Sequence, residues 1–203
     1  MTLSALALGR SFSDPILGPQ TVFRSVMEAL SRPGLSHTLP DLGIKGPDSV
    51  PPSALSILLS LCDPDTPVWL DQDLRATDLQ KWLQFHCNCP IVVEPSQAHF
   101  ALYRSSLHSP HLNEFALGDP RYPERSTTVL VLVDSMLGGP VLSLSGPGVL
   151  DSVDIQPHGL PENFVEQFSA QHIQFPLGVD CLLIAQDRIV GLPRTTQIQR
   201  KSL

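Results

Sequence analysis

Apolar positions recur along the chain at two periods, and the switches between them mark out its elements. From Pro19 to Ser31, Val22, Phe23, Val26, Met27 and Leu30 fall on one face at helical spacing. Pro19 suits a first turn and Pro33-Gly34 stops the run, so the pattern predicts a helix over 19–31 with those five residues inward. Residues 40–52 hold four prolines and two glycines and read as a loop. Ser53 is placed to cap a second helix running to Cys62, with Leu55, Leu58, Leu59 and Cys62 inward. A third opens at Thr77-Asp78, lines up Leu79, Trp82, Leu83 and His86, and ends at Pro90. Strand-length runs occur at Thr66–Leu70, Ile91–Val93 and Ala98–Leu102. The unbroken run Val129–Val133 predicts a strand buried on both faces. Residues 104–126 read as mostly irregular, with a possible helical turn at 112–117. Another strand holds Val141, Leu142 and Leu144, closed by Gly146-Pro147-Gly148. Pro161–His172 predicts a helix with Phe164, Val165 and Phe168 inward. Cys181–Ala185 and Ile189–Leu192 predict a hairpin around Gln186-Asp187-Arg188.

Helices and strands alternate over about the first hundred residues and strands dominate afterwards, which is the pattern of a layered α/β fold with a mixed sheet. No flexible linker separates two cores, and 203 residues suit one domain. Composition sharpens the picture. Thirteen basic against twenty acidic residues leave a net charge of −7, a field that repels nucleic-acid backbones. Charged residues are only 16% of the chain, so a surface covered by a partner is expected. No apolar run approaches the roughly 20 residues that cross a bilayer. Met1–Gly9 has no basic residue before its apolar stretch, so no signal peptide is expected. The four cysteines, 62, 87, 89 and 181, suit a reduced, cytoplasmic setting, because a bridge across the single residue between Cys87 and Cys89 is strained.

Candidate chemistry is sparse. His86, Cys87 and Cys89 form the most metal-like group, but Cys-x-Cys is narrower than zinc spacing, and Cys62 and Cys181 could complete it only if the fold brought them near. The group reads better as a helix end carrying small buried thiols. His108 and His111 lie in a loop and read as solvent-facing, so no metal is expected. There is no Gly-x-Ser-x-Gly elbow, and Gly146-Pro147-Gly148 fails as a phosphate loop because Pro147 lacks an N–H. Lys45, Lys81 and Lys201 are the only lysines, and none ends a predicted buried strand. Pyridoxal phosphate is therefore disfavoured and no cofactor is expected. Arg24 follows Phe23 on the first helix. Arg194, beside Thr195 and Thr196, either grips a phosphate or carboxylate or pins the C-terminal segment to a neighbouring carboxylate.

Six runs in order carry a resemblance. They are Phe23-Arg24-Ser25-Val26-Met27-Glu28-Ala29-Leu30-Ser31-Arg32-Pro33-Gly34, Asp65-Thr66-Pro67-Val68-Trp69-Leu70, Phe85-His86-Cys87-Asn88-Cys89-Pro90, Leu142-Ser143-Leu144-Ser145-Gly146-Pro147-Gly148, Phe175-Pro176-Leu177-Gly178-Val179-Asp180, and Pro193-Arg194-Thr195-Thr196. Together they resemble the PhnH family, the H subunit of the bacterial carbon–phosphorus lyase system of phosphonate utilisation. The resemblance covers residues 19–196, leaving 1–18 as an N-terminal extension and 197–203 as a C-terminal tail. It implies a single three-layer α/β domain with a mixed sheet, similar to the large domain of pyridoxal-phosphate-dependent transferases but without the cofactor site. It implies a homodimer in isolation and a core complex with subunits G, I and J. It further implies that subunits G, H and I, with the ATP-binding-cassette subunit L, move the ribose 5-triphosphate part of ATP onto a phosphonate. No catalytic residue carries over from the family. The leading expectation is a structural subunit. The alternative is a subunit that contributes phosphate-binding groups through Arg24, His86 and Arg194.

Overall fold

The computed structural model describes residues 9–104 and 110–201. The reading of residues 1–8 and the candidate His108 lie outside the described residues. The elements follow in the order α1 (Leu17–Ser31), β1 (Ser36–Thr38), α2 (Pro52–Leu61), β2 (Val68–Leu70), α3 (Gln72–Arg75), α4 (Leu79–His86), β3 (Ile91–Val92), β4 (Phe100–Arg104), β5 (Leu117–Asp119), β6 (Tyr122–Ser126), β7 (Thr128–Leu132), β8 (Leu142–Ser145), β9 (Val153–Ile155), α5 (Phe164–Ala170), β10 (Asp180–Ala185), β11 (Arg188–Leu192) and β12 (Gln197–Arg200).

Seven strands form the main sheet in the order β1-β11-β10-β7-β4-β2-β3. The stretch from β3 to β10 is parallel, and β11 and β1 close one side antiparallel. Strand periodicity builds two cores from this sheet. Along β7, Leu130 and Leu132 face one core while Val129 and Val131 face the other, and β10 divides Leu182 and Ile184 from Cys181 and Leu183 in the same way. The first core is completed by α1, α2 and α4. The second is completed by α5 and by a three-stranded sheet, β12-β8-β9. The result is a mixed α/β fold in three layers, and the unbroken apolar run over β7 is buried on both faces as its sequence predicts.

Helix α1 crosses β11 closely because Gly191 has no side chain. A Cβ there would stand 2.3 Å from Ala29 O, inside any real contact. That close crossing turns Val22, Val26 and Ala29 inward. It also corrects the expected face: Phe23 and Met27 point outward, 52% and 50% exposed, and Leu30 is only partly buried. Helix α2 begins at Pro51-Pro52 rather than at a capping Ser53, whose Oγ lies inside the helix and donates to Gln186 O. Two strand pairs sit where irregular chain or nothing was expected. The β5–β6 hairpin occupies 117–126, and β9 pairs with β8. Residues 197–200, expected in a tail, form β12, which pairs with β8 and buries Ile198.

Candidate functional site

Ligands of open parallel sheets gather beyond the carboxyl ends of the strands, where chain direction and loop space converge. Here the ends of β4, β7 and β10 open into a cleft of about 580 Å³, roofed by the proline-rich loop before α2. Adjacent strands deliver Arg104, Asp134 and Gln186 to its floor, and the loop delivers Lys45, Asp48 and Ser49. Arg104 is fixed at both ends. Its backbone N–H donates to Asp71 Oδ2 at 2.7 Å, and its Nη2 donates to Ser49 O at 3.0 Å. Lys45 is exposed and its ammonium has no partner among the described residues, although its carbonyl accepts from Trp82 Nε1 and Arg10 N. Ser49 Oγ is closed off from solvent with no hydrogen-bond partner among the described residues. Asp134 meets His158 at 3.3 Å. Sequence reading did not find this cleft, although the loop holds one of only three lysines.

The residues singled out from the sequence do not assemble there. Arg194 lies beside the first residue of β10, and all five of its N–H groups are taken. Nε and Nη2 donate to Asp180 at 3.2 and 2.6 Å, Nη2 to Ser126 Oγ at 2.5 Å, and Nη1 to the carbonyls of Pro123 and Pro176 at 2.8 and 3.3 Å. Of the two readings of Arg194, this geometry is that of a pin. It ties the β5–β6 hairpin and the 176–180 segment to β10, and leaves no guanidinium hydrogen for a ligand. None of its partners belongs to α1 or α4. Arg24 is exposed on α1 beside Phe23 and has no side-chain partner among the described residues. His86 is half-buried at the end of α4, its ring 4.5 Å from that of Trp82 and edge-on to Phe85 at 4.9 Å.

The thiols separate into two places. Cys62, Cys87 and Cys89 share the first core, where α2 and α4 end, and Cys181 faces the second core across the sheet. Asn88, at φ 52°, turns the chain between Cys87 and Cys89, and the Cys87 thiol donates to Leu58 O at 3.9 Å. The neighbouring Cys89 thiol and burial push Cys87 up, and the Cys87 thiol holds Cys89 below the ordinary thiol range. Burial pushes Cys62 and Cys181 up. All four cysteines are unbridged, and no group of three or more metal-type side chains among the described residues is arranged to hold an ion. His111 is engaged locally: it caps the turn Leu112–Glu114, whose Glu114 side chain accepts from the His111 N–H at 2.7 Å.

Comparison with known proteins gives a consistent picture. The family model described as bacterial phosphonate metabolism protein (PhnH) matches residues 10–199. A subunit of alpha-D-ribose 1-methylphosphonate 5-triphosphate synthase, PhnH of Rhizobium meliloti (strain 1021), is 35% identical over 206 aligned residues, covering 99% of this chain and all of that protein. A putative C-P lyase subunit protein of Stutzerimonas stutzeri, HtxG, is 38% identical over 85 residues, covering 42% of this chain and 44% of that one.

Proposed function

Because the chain belongs to the PhnH family of bacterial phosphonate metabolism proteins, we propose that it is an assembling, non-catalytic subunit of a carbon–phosphorus lyase complex. In this reading it joins subunits G, I and J. With G, I and the ATP-binding-cassette subunit L, it enables transfer of the ribose 5-triphosphate part of ATP to a phosphonate, in the cytoplasm, and it is a homodimer when alone. The observation that carries the reading is the outer face of α1. Ile16, Phe23 and Met27 lie along it at helical spacing, exposed, with Leu17 beside them. A soluble chain with such a stripe gains by covering it, and the centres of protein interfaces are depleted in charge in the same way. Arg24 on this helix, and His86 beside the exposed Phe85, are proposed as contacts to partners.

Lysine placement supports a role without Schiff-base chemistry. Lys45 lies in a loop, Lys81 is exposed and paired with Asp78, and Lys201 is paired with Asp154 beyond β12. The likeness to the large domain of pyridoxal-phosphate-dependent transferases is proposed for the layer order alone. The test is reconstitution. Core subunits are purified with and without this chain, and turnover of ATP and methylphosphonate is followed. The assembly reading expects the core to form incompletely without the chain and to lose turnover in step. A core that forms fully without it yet cannot turn over would favour the contrary reading, in which this subunit contributes groups to the reacting site.

A further inference from the structure

The geometry points to the cleft over the carboxyl ends of β4, β7 and β10 as a binding site for a small tetrahedral oxyanion of the phosphate or phosphonate class. The inference goes beyond the assembling role and does not depend on it. Three features converge on one volume. The first is position: adjacent parallel strands end there, so ligand atoms can approach backbone and side chains that a rigid sheet holds still. The second is charge. In a chain of net charge −7, this cleft collects Arg104 from the floor and Lys45 from the roof. Lys45 has no carboxylate partner among the described residues, so its ammonium is open to an anion, and Arg104 adds its charge while its own bond to Ser49 O holds floor to roof. The third is an unmet donor. Ser49 lines the cleft, and its Oγ, closed off from solvent with no partner among the described residues, would have to turn outward to meet a ligand oxygen but gives up no hydrogen bond in doing so.

These groups reach the cleft from the sheet and from the loop above it. Such a spread suits an anion with three free oxygens better than a planar carboxylate, whose two oxygens lie in one plane with the fork that grips them. Asp48 and Asp134 line the same cleft and oppose the anion. Asp134 is engaged with His158, whereas Asp48 is exposed and has no ion-pair partner among the described residues. The two carboxylates set a sign that can be tested: removing Asp48 should strengthen binding, and removing Lys45 should weaken it.

The experiment is a titration of the full chain with inorganic phosphate, followed by phosphorus NMR, with methylphosphonate as a second ligand and acetate as a competitor for bound phosphate. Phosphate and methylphosphonate are expected to bind saturably and acetate far more weakly. Lys45→Met should weaken phosphate by roughly ten- to a hundredfold, the loss of one charge-assisted bond. Asp48→Asn should tighten it, an effect that simple loss of folding cannot produce. Both positions are exposed, so both variants should melt like the parent chain. Absence of saturable phosphate binding, or equal affinity of Lys45→Met and Asp48→Asn, would overturn the proposal. Equal binding of acetate would overturn its tetrahedral part. Because no partner subunit is present, failure here leaves the assembling role standing, and failure of assembly leaves this result standing.

Discussion

Arg194 binds together three stretches of chain outside the two cores. Its guanidinium carries a charge only 13% exposed, beside an Asp180 carboxylate 24% exposed, and joins three segments far apart in sequence. Lysine at 194 would keep the charge but offers three donors at one point, in place of five in a plane. Two or more acceptors would then stay unmet in a half-closed site, at a cost of ~2–4 kcal/mol. For a chain of this length that lowers the thermal midpoint by roughly 5–15 °C. A melt of Arg194→Lys within a degree or two of the parent would show that the hub is dispensable. The thiols make a second prediction at this scale. Burial holds Cys62, Cys87 and Cys181 in the protonated, unreactive form, and Cys89, although held as the more acidic thiol, is 2% exposed. Iodoacetamide at neutral pH should leave all four unmodified in the folded chain and modify all four in denaturant. Under mild destabilisation Cys89 should be the first labelled, as peptide mapping would report.

Among the elements, β12 depends most on pH. Glu166 is held below its ordinary range by a backbone hydrogen bond and by Arg200, and Asp154 by Lys201, so β12 and the residue after it are fastened to α5 and β9 by carboxylates. A carboxyl lowered in the folded state contributes stability above its unfolded value and loses it as pH falls through the folded one. Protection of the β12 amides, corrected for the intrinsic exchange rate at each pH, should therefore fall as the solution is taken from neutrality to pH about 3, before that of the β7 and β10 amides responds. Equal loss of protection in all three strands would refute this local release. The same strand shows where sequence reading stops. Gln197, Gln199 and Arg200 surround a single buried Ile198, so β12 carries almost no apolar signal, and its pairing with β8 joins positions about fifty residues apart. The β5–β6 hairpin is hidden likewise by the polar run Tyr122–Ser126. Runs with a strong apolar period were legible: β7, β10, α5 and the core face of α4. Helix α1 was legible as a helix but not in its facing. Val22 and Val26 form one apolar stripe and Phe23 and Met27 the next, and periodicity cannot tell which stripe a neighbouring strand covers. The cleft was illegible for a related reason. Arg104 and Ser49 meet across 55 positions, and no local pattern announces such a meeting.

For the whole molecule, the proposed assembling role gives the two apolar stripes of α1 different tasks. One stripe is spent on β11 and α2, where Gly191 lets the helix approach. The other belongs to neither core and stays half exposed at Phe23 and Met27. Covering the exposed half of each side chain in a partner interface contributes about 1 kcal/mol each, and a buried carboxylate placed there would add a further penalty. Phe23→Glu with Met27→Glu should therefore melt within a few degrees of the parent chain, since neither side chain belongs to a core. The same double variant should fail to co-purify with the other core subunits and should remove turnover from the reconstituted mixture. The three classes of variant then have distinct signatures. Arg194→Lys lowers the melt, Lys45→Met lowers oxyanion affinity in the isolated chain, and the α1 pair lowers assembly while leaving both of those unchanged. Analytical size exclusion of the mixed subunits gives the decisive reading. A complex of normal size and stoichiometry containing the Phe23→Glu, Met27→Glu chain would remove α1 as the partner face, because two buried carboxylates at the centre of an interface could not be absorbed without loss of affinity.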